Sequence, residues 1–228
     1  ALSDRVVDGL RARGLDVVRI AGQTRFDTAA AIALGDPAAG SWRSWNAADV
    51  VYVATGENFP DALPGGAAAA SFDAPLLLTA RDRLPAPTAQ ALDALRPSQV
   101  VVLGGPTAVA EAVVDQVRAV TGARVDRAAG ETRYDTAIAA LCPTEELCRP
   151  DTRFAVVATG EGFADALGGS AAAAALRAPL VLVPGSGELP RIVEDAMEVV
   201  APEQMVVLGG PVPIPEAVAV RVRDLAVR

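Results

Sequence analysis

Short runs along the chain are apolar without a break: VVYVA at 50–54, PLLL at 75–78, VVVL at 100–103, then FAVVA at 154–158, PLVLV at 179–183 and MVVL at 205–208. Such runs fit strands covered by helices on both faces, the setting of a parallel sheet. The stretches between them are helical in pattern, beginning with an amphipathic helix at 2–13. Strands are predicted at 16–20, 50–54, 75–78 and 99–103, and again at 124–128, 154–158, 179–183 and 204–208. Helices are predicted at 27–34, 60–72, 85–95 and 107–120, with counterparts between the later strands. Alternating strands and helices argue an α/β fold of tandem repeated three-layer units with mainly parallel sheets and right-handed crossovers.

The pattern repeats because the sequence repeats. RIAGQTRFDTA at 19–29 returns as RAAGETRYDTA at 127–137, and ATGENFPDAL at 54–63 as ATGEGFADAL at 158–167. APLLL at 74–78 answers APLVL at 178–182, and VVLGGP at 101–106 answers VVLGGP at 206–211. Two units are expected, 1–106 and 107–228. The first opens with the closing helix of a preceding unit, because 2–13 resembles 108–120. The chain starts on a helix already under way, without a signal peptide, so it is expected to be cut from a longer precursor with further units upstream.

Composition excludes several chemistries. Histidine is absent and all 20 basic residues are arginine, which removes His-based triads and zinc sites, Schiff-base lysines and the Walker lysine. A net charge of −8 with scattered arginines argues against nucleic acid. No apolar run approaches the roughly 20 residues that span a bilayer, so no membrane partner is expected. No cofactor or metal is expected. Cys142 and Cys148 in LCPTEELCRP fit a small disulfide-closed loop in an oxidising compartment, or two unrelated thiols.

The order and spacing of R-x-A-G-x-T-R-[FY]-D-T-A, A-T-G-E-x-F-x-D-A-L, A-P-L-[LV]-L and V-V-L-G-G-P in both copies resemble the cell-wall-binding repeat 2 family. The resemblance covers nearly the whole chain. It implies a Toprim-like or Rossmann-like sandwich, often three units in a pseudo-threefold assembly, of which only two are complete here. It also implies an exported, extracellular protein of the cell wall or surface layer of Gram-positive-type bacteria. There such repeats act as a non-catalytic anchor, held non-covalently by an anionic secondary wall polymer. The partners implied are that polymer and further repeat units, in the same precursor or a homo-oligomer. The family's anchoring run P-I-L-L is matched by Pro75, Leu76, Leu77, Leu78 and by Pro179, Leu180, Val181, Leu182, which also read as buried strand.

Ligands of open α/β sheets bind beyond the carboxyl ends of the strands. The candidate ligand-binding residues there are Arg25, Asp27, Thr55 and Glu57, with Arg133, Asp135, Thr159 and Glu161 in the second copy. Hydroxyl and guanidinium groups suit phosphate or carboxylate. The same residues also fit helix caps and salt bridges between units. The pairs Glu57–Asp61 and Glu161–Asp165 raise a metal-dependent phosphoryl or hydrolytic enzyme as an alternative, and a protein–protein or self-assembly scaffold is another. An acidic module and an anionic polymer repel at long range. Local arginine clusters, bridging cations or hydrogen bonds to neutral sugars would each offset this. Trp42 and Trp45 are unmatched in the second copy and read as local hydrophobic anchors rather than a repeated sugar platform.

Overall fold

The computed structural model describes residues 2–35, 45, 47–148 and 152–225. The apolar runs form parallel strands in two sheets. The first is ordered β2-β1-β3-β4, from β1 (Val50–Thr55), β2 (Leu76–Thr79), β3 (Gln99–Leu103) and β4 (Arg124–Ala128). The second is ordered β6-β5-β7, from β5 (Phe154–Thr159), β6 (Leu180–Val183) and β7 (Gln204–Leu208).

The described chain opens on α1 (Asp4–Arg11), and later helices cover both faces of each sheet. On the first, α2 (Arg25–Leu34), α4 (Ala86–Leu95) and α5 (Glu111–Thr121) bury Ala33, Leu92, Leu95, Val113 and Val117 against Val51, Val53 and Val102. The other face packs α3 (Ala62–Ser71) and the end of α6 (Arg133–Ala139) against Tyr52 and Val101. In the second unit α6, α8 (Arg191–Val200) and α9 (Glu216–Leu225) cover one face, and α7 (Phe163–Leu176) the other. The three-layer α/β prediction therefore holds in both copies. The anchoring runs lie in β2 and β6, where Leu77 and Leu180–Leu182 are buried core.

Two departures from the sequence pattern carry information. β4 opens the second copy in sequence, yet it pairs with β3 in the first sheet, and the helix it leads into packs on β6 and α8 of the second unit. Residues 16–20, its counterpart, form no strand. No strand among the described residues stands to them as β3 stands to β4, so an extended segment there has nothing to pair with.

The two units meet through α3 and α7. Both helices are rich in alanine and glycine because they are pressed between sheet and neighbour. Gly66 faces Ser170, whose hydroxyl donates to the Leu63 carbonyl at 2.8 Å. A disulfide joins Cys142 to Cys148 and closes the loop that sets Leu147 into the core. Trp45 packs on the first core and donates from Nε1 to the Asp73 carbonyl at 2.6 Å, as a local anchor does; Trp42 lies outside the described residues.

The two helices give opposite expectations for one substitution. A Cβ at Gly65 would lie 2.0 Å from Cδ1 of fully buried Leu103, whereas at Gly168 it meets nothing within 4 Å. Gly65→Ala should lose about 1–2 kcal/mol through overpacking, net of the helix gain. Gly168→Ala should gain up to about 1 kcal/mol from helix propensity. Denaturant titration of both variants checks the pair.

Candidate functional site

The repeated cassette folds the same way twice, and its threonines, aspartates and arginines each have a partner. Thr24 and Thr132 are N-caps whose hydroxyls accept from the N–H of Asp27 and Asp135, while those carboxylates accept from the threonine N–H at 2.9 and 2.8 Å. These reciprocal bonds are capping boxes, which satisfy donors a helix start leaves free. Hydrogen bonds from the Thr24 side chain and backbone hold the Asp27 carboxyl below its usual range. The Thr28 and Thr136 hydroxyls accept from the N–H of Gly22 and Gly130 at 3.0 and 3.2 Å. A Cβ at Gly22 would fall 2.1 Å from the Asp27 Cβ, and one at Gly130 2.0 Å from that of Asp135, so only glycine fits the turn.

The arginines tie each helix start to a strand end. Arg25 Nη1 donates to the Gly56 carbonyl after β1, and Arg133 Nη1 to the Gly160 carbonyl after β5. Neither makes an ion pair among the described residues. The two positions then diverge. Because β4 belongs to the first sheet, the turn after it carries Gly130, Glu131, Thr132 and Arg133 over the strand ends of the first unit.

The result is a polar groove of about 320 Å³ at the junction of the units. Thr55, Glu57 and Asp61 line it from the β1 end, Arg81 from the β2 end, Thr107 from the β3 end, and Thr132, Arg133 and Thr136 from the crossing turn. The Glu57 N–H donates to the Thr55 hydroxyl at 3.2 Å, and Glu57 Oε1 accepts from the Arg81 N–H at 3.4 Å. Arg81 Nε donates to the Thr107 carbonyl at 2.9 Å, and no ion pair engages its exposed guanidinium among the described residues. Asp61 is half-buried under Gly104, whose φ of +94° lets the backbone pass close to the carboxylate. Burial pushes the Asp61 pKa up, against the opposing charge of Arg133.

Of the candidates from sequence, the groove gathers Thr55, Glu57 and Arg133. Asp27 and Asp135 serve as caps, and Arg25 stays on the first unit. Thr159 accepts from Glu161 N–H at 3.2 Å, and Glu161 accepts from Gly185 N–H at 2.9 Å, repeating the Thr55–Glu57 arrangement at the second unit. There, however, glycine replaces Arg81 and Val212 replaces Thr107. Arg81, Thr107 and Thr132 were missed as site residues. Arg81 and Thr107 were signalled by their mismatch with Gly185 and Val212, whereas Thr132 is matched by Thr24 and enters the groove only through the crossing of β4.

A pair of parallel α/β units enclosing a polar groove at their junction defines a repeat-built binding module. The chain belongs to the Cell wall binding domain 2 (CWB2) family, whose model matches residues 19–114 and 127–219. This agrees with the resemblance read from the motifs and makes the chain a cell wall binding module of two tandem repeats. It is 31% identical over 121 residues to the N-acetylmuramoyl-L-alanine amidase LytC of Bacillus subtilis (strain 168), covering 53% of this chain and 23% of that protein. Cwp6 from Clostridium difficile superimposes with a TM-score of 0.79 at 25% identity, over 90% of this chain and 31% of that one. Cwp8 from Clostridium difficile shares the fold, with a TM-score of 0.72 at 22% identity over 97% of this chain and 36% of that one. The chain thus spans about a quarter to a third of these relatives.

Asp61 gives the site a pH signature. Its folded pKa lies above the usual 3.8, so the native state holds this proton more tightly than the unfolded chain. The stability from that proton is complete below the unfolded pKa and is lost as pH rises through the folded one. Asp61→Asn should therefore melt higher than wild type near pH 7, with the difference shrinking towards about pH 4. Paired thermal melts across that range check the sign.

Proposed function

We propose that this module holds an exported protein at the cell wall by binding an anionic secondary wall polymer in the groove between its units, without catalysis. The observation that carries the reading is the pairing of two guanidinium groups, Arg81 and Arg133, with the hydroxyls of Thr55, Thr107, Thr132 and Thr136 at the strand ends. Guanidinium forks suit phosphate or carboxylate, and the hydroxyls suit the sugar or polyol oxygens between such charges. The groove also answers the repulsion implied by a net charge of −8. Arg81 and Arg133 bring two guanidinium charges to a groove whose carboxylates are Glu57, Asp61 and Glu131, so a docking anion meets two positive groups at short range although the chain as a whole is acidic.

In this reading Thr55, Glu57, Arg81 and Arg133 contact ligand or set its position. Arg25, Asp27, Asp135, Thr159 and Glu161 shape the frame that carries them. The protein acts outside the cell, at the wall or in a surface layer, alongside further repeat units or copies of itself.

Cosedimentation with purified walls, before and after the secondary polymer is stripped, tests the proposal. Wild type should pellet with intact walls and stay in solution with stripped ones, and added salt should weaken binding. Arg81→Ala should lower affinity about tenfold, the loss of one charge-assisted contact, at unchanged melting temperature. Arg133→Ala should lower both, since it also anchors α6. Undiminished binding to stripped walls would refute the polymer as ligand.

A further inference from the structure

The loop closed by the Cys142–Cys148 disulfide follows α6, which packs on β6 and α8 of the second unit. Its contacts lie on the first unit. Leu147 is buried in the core that holds Tyr52, Val101 and Ala128. Glu146 stands 3.7 Å from Nη1 of Arg124 on β4, and Arg124 Nε lies 2.9 Å from Asp126, which accepts from Gln99 Nε2 at 2.8 Å. Inside the loop the Thr144 hydroxyl accepts from the Leu147 N–H at 3.2 Å. One apolar and one ionic contact therefore strap a loop of the second unit to the sheet of the first. No cysteine stands in the matching stretch of the first copy, so the strap is particular to the second.

We propose that Cys142 is a thiol–disulfide exchange site, and that opening the disulfide unlatches the groove between the units. Cys142 is exposed and Cys148 half-buried, so an incoming thiolate meets the Cys142 sulfur first. A mixed disulfide forms there, and Cys148 leaves as a thiolate that takes up a proton. The second thiol of a dithiol reductant then displaces Cys142 in turn. Two electrons and two protons pass to the protein, and the reductant ends as its own disulfide.

The helix α6 couples this loop to the groove. With 7 residues it is too short to hold its shape without packing. Its start places Arg133 and the capping box of Thr132 and Asp135 at the groove wall. Its end, Ala139 and the C-cap Ala140, shares the first core with Leu147. The closed disulfide restricts the loop before Leu147 docks, which lowers the entropy lost on docking. Once the bond opens, the loop no longer holds Leu147 folded back, and the end of α6 loses its cover. The same core buries the Tyr52 hydroxyl without a partner among the described residues. Water admitted on this face gains a hydrogen bond there, which favours the open form. The consequence for wall attachment rests on the polymer reading above, whereas the opening itself does not.

Treatment of the whole chain with dithiothreitol at neutral pH tests the proposal by alkylation, amide hydrogen exchange and cosedimentation with walls. Both cysteines should take up iodoacetamide while far-UV circular dichroism stays native. Exchange should quicken at least about tenfold at 138–148 and at 130–136, and stay unchanged in β1, β3 and β5. Wall affinity should fall about threefold or more and return on reoxidation. Cys142→Ser combined with Cys148→Ser should reproduce the reduced chain and no longer respond to dithiothreitol. If that variant fails to fold, reduced wild type carries the test. A disulfide that resists dithiothreitol until the whole chain melts overturns the proposal. So does one that opens without faster exchange at 130–136, or with undiminished wall affinity. Should wild type never pellet with walls, the polymer reading fails, and alkylation and exchange still decide this one.

Discussion

The chain crosses from one unit to the other between β4 and α6, and the rest of the molecule is arranged around that crossing. β4 is hydrogen-bonded into the first sheet, while α6, a few residues on, is packed on the second. Its two ends are held by different hydrophobic cores, so the turn between them cannot lengthen or rotate without breaking one. The units are thereby fixed against each other, and α3 and α7 are forced together at their junction. That is why these helices carry Gly65, Gly66, Gly169 and Ser170 where an ordinary amphipathic helix carries leucine. The groove is a by-product of the same crossing, since only there, among the described residues, does a turn rich in N–H and hydroxyl groups overhang the strand ends of the neighbouring unit.

The polar cassette is repeated because it makes the turn. The capping box, the glycine beneath the aspartate Cβ and the threonine that bonds back to it form one local solution for leaving a strand and entering a helix. The arginine then locks the helix start to a carbonyl of the unit it covers. Function enters through what that turn overhangs. Residues 130–136 face strand ends of the other unit furnished with Arg81 and Thr107, while residues 22–28 touch the end of β1 in their own unit and overhang no other unit's strand ends among the described residues.

Much of this was legible in the sequence. The uninterrupted apolar runs located six of the seven paired strands within a residue or so, since parallel strands buried on both faces leave that signature, while β4, with the sequence RVDRA, was placed by the repeat. The capped helix starts were legible at Asp27 and Asp135, though the N-caps are Thr24 and Thr132 and the aspartates complete each capping box from the third helical position. The segment 16–20 read as a strand because it has the composition of one, yet a strand needs a partner that the pattern cannot supply. The groove was illegible for a related reason. It joins residues 55–61, 81 and 107 to residues 130–136 through the packing of two units, and no local period records that contact. Arg81 stood out only as a difference between copies, at a position where the second has Gly185.

Electrostatics then follows position rather than net charge. In the proposed reading an acidic chain meets an anionic polymer through a groove where the guanidinium groups of Arg81 and Arg133 stand beside the carboxylates of Glu57, Asp61 and Glu131. Amide and arginine side-chain chemical shifts of the isotope-labelled chain, followed while purified wall-polymer fragments are titrated in, test this most directly. Perturbations confined to Thr55–Asp61, Arg81, Thr107 and Gly130–Thr136, saturating with one affinity, are the predicted result. Saturable shifts that fall elsewhere and leave Arg81 and Arg133 untouched would contradict the account.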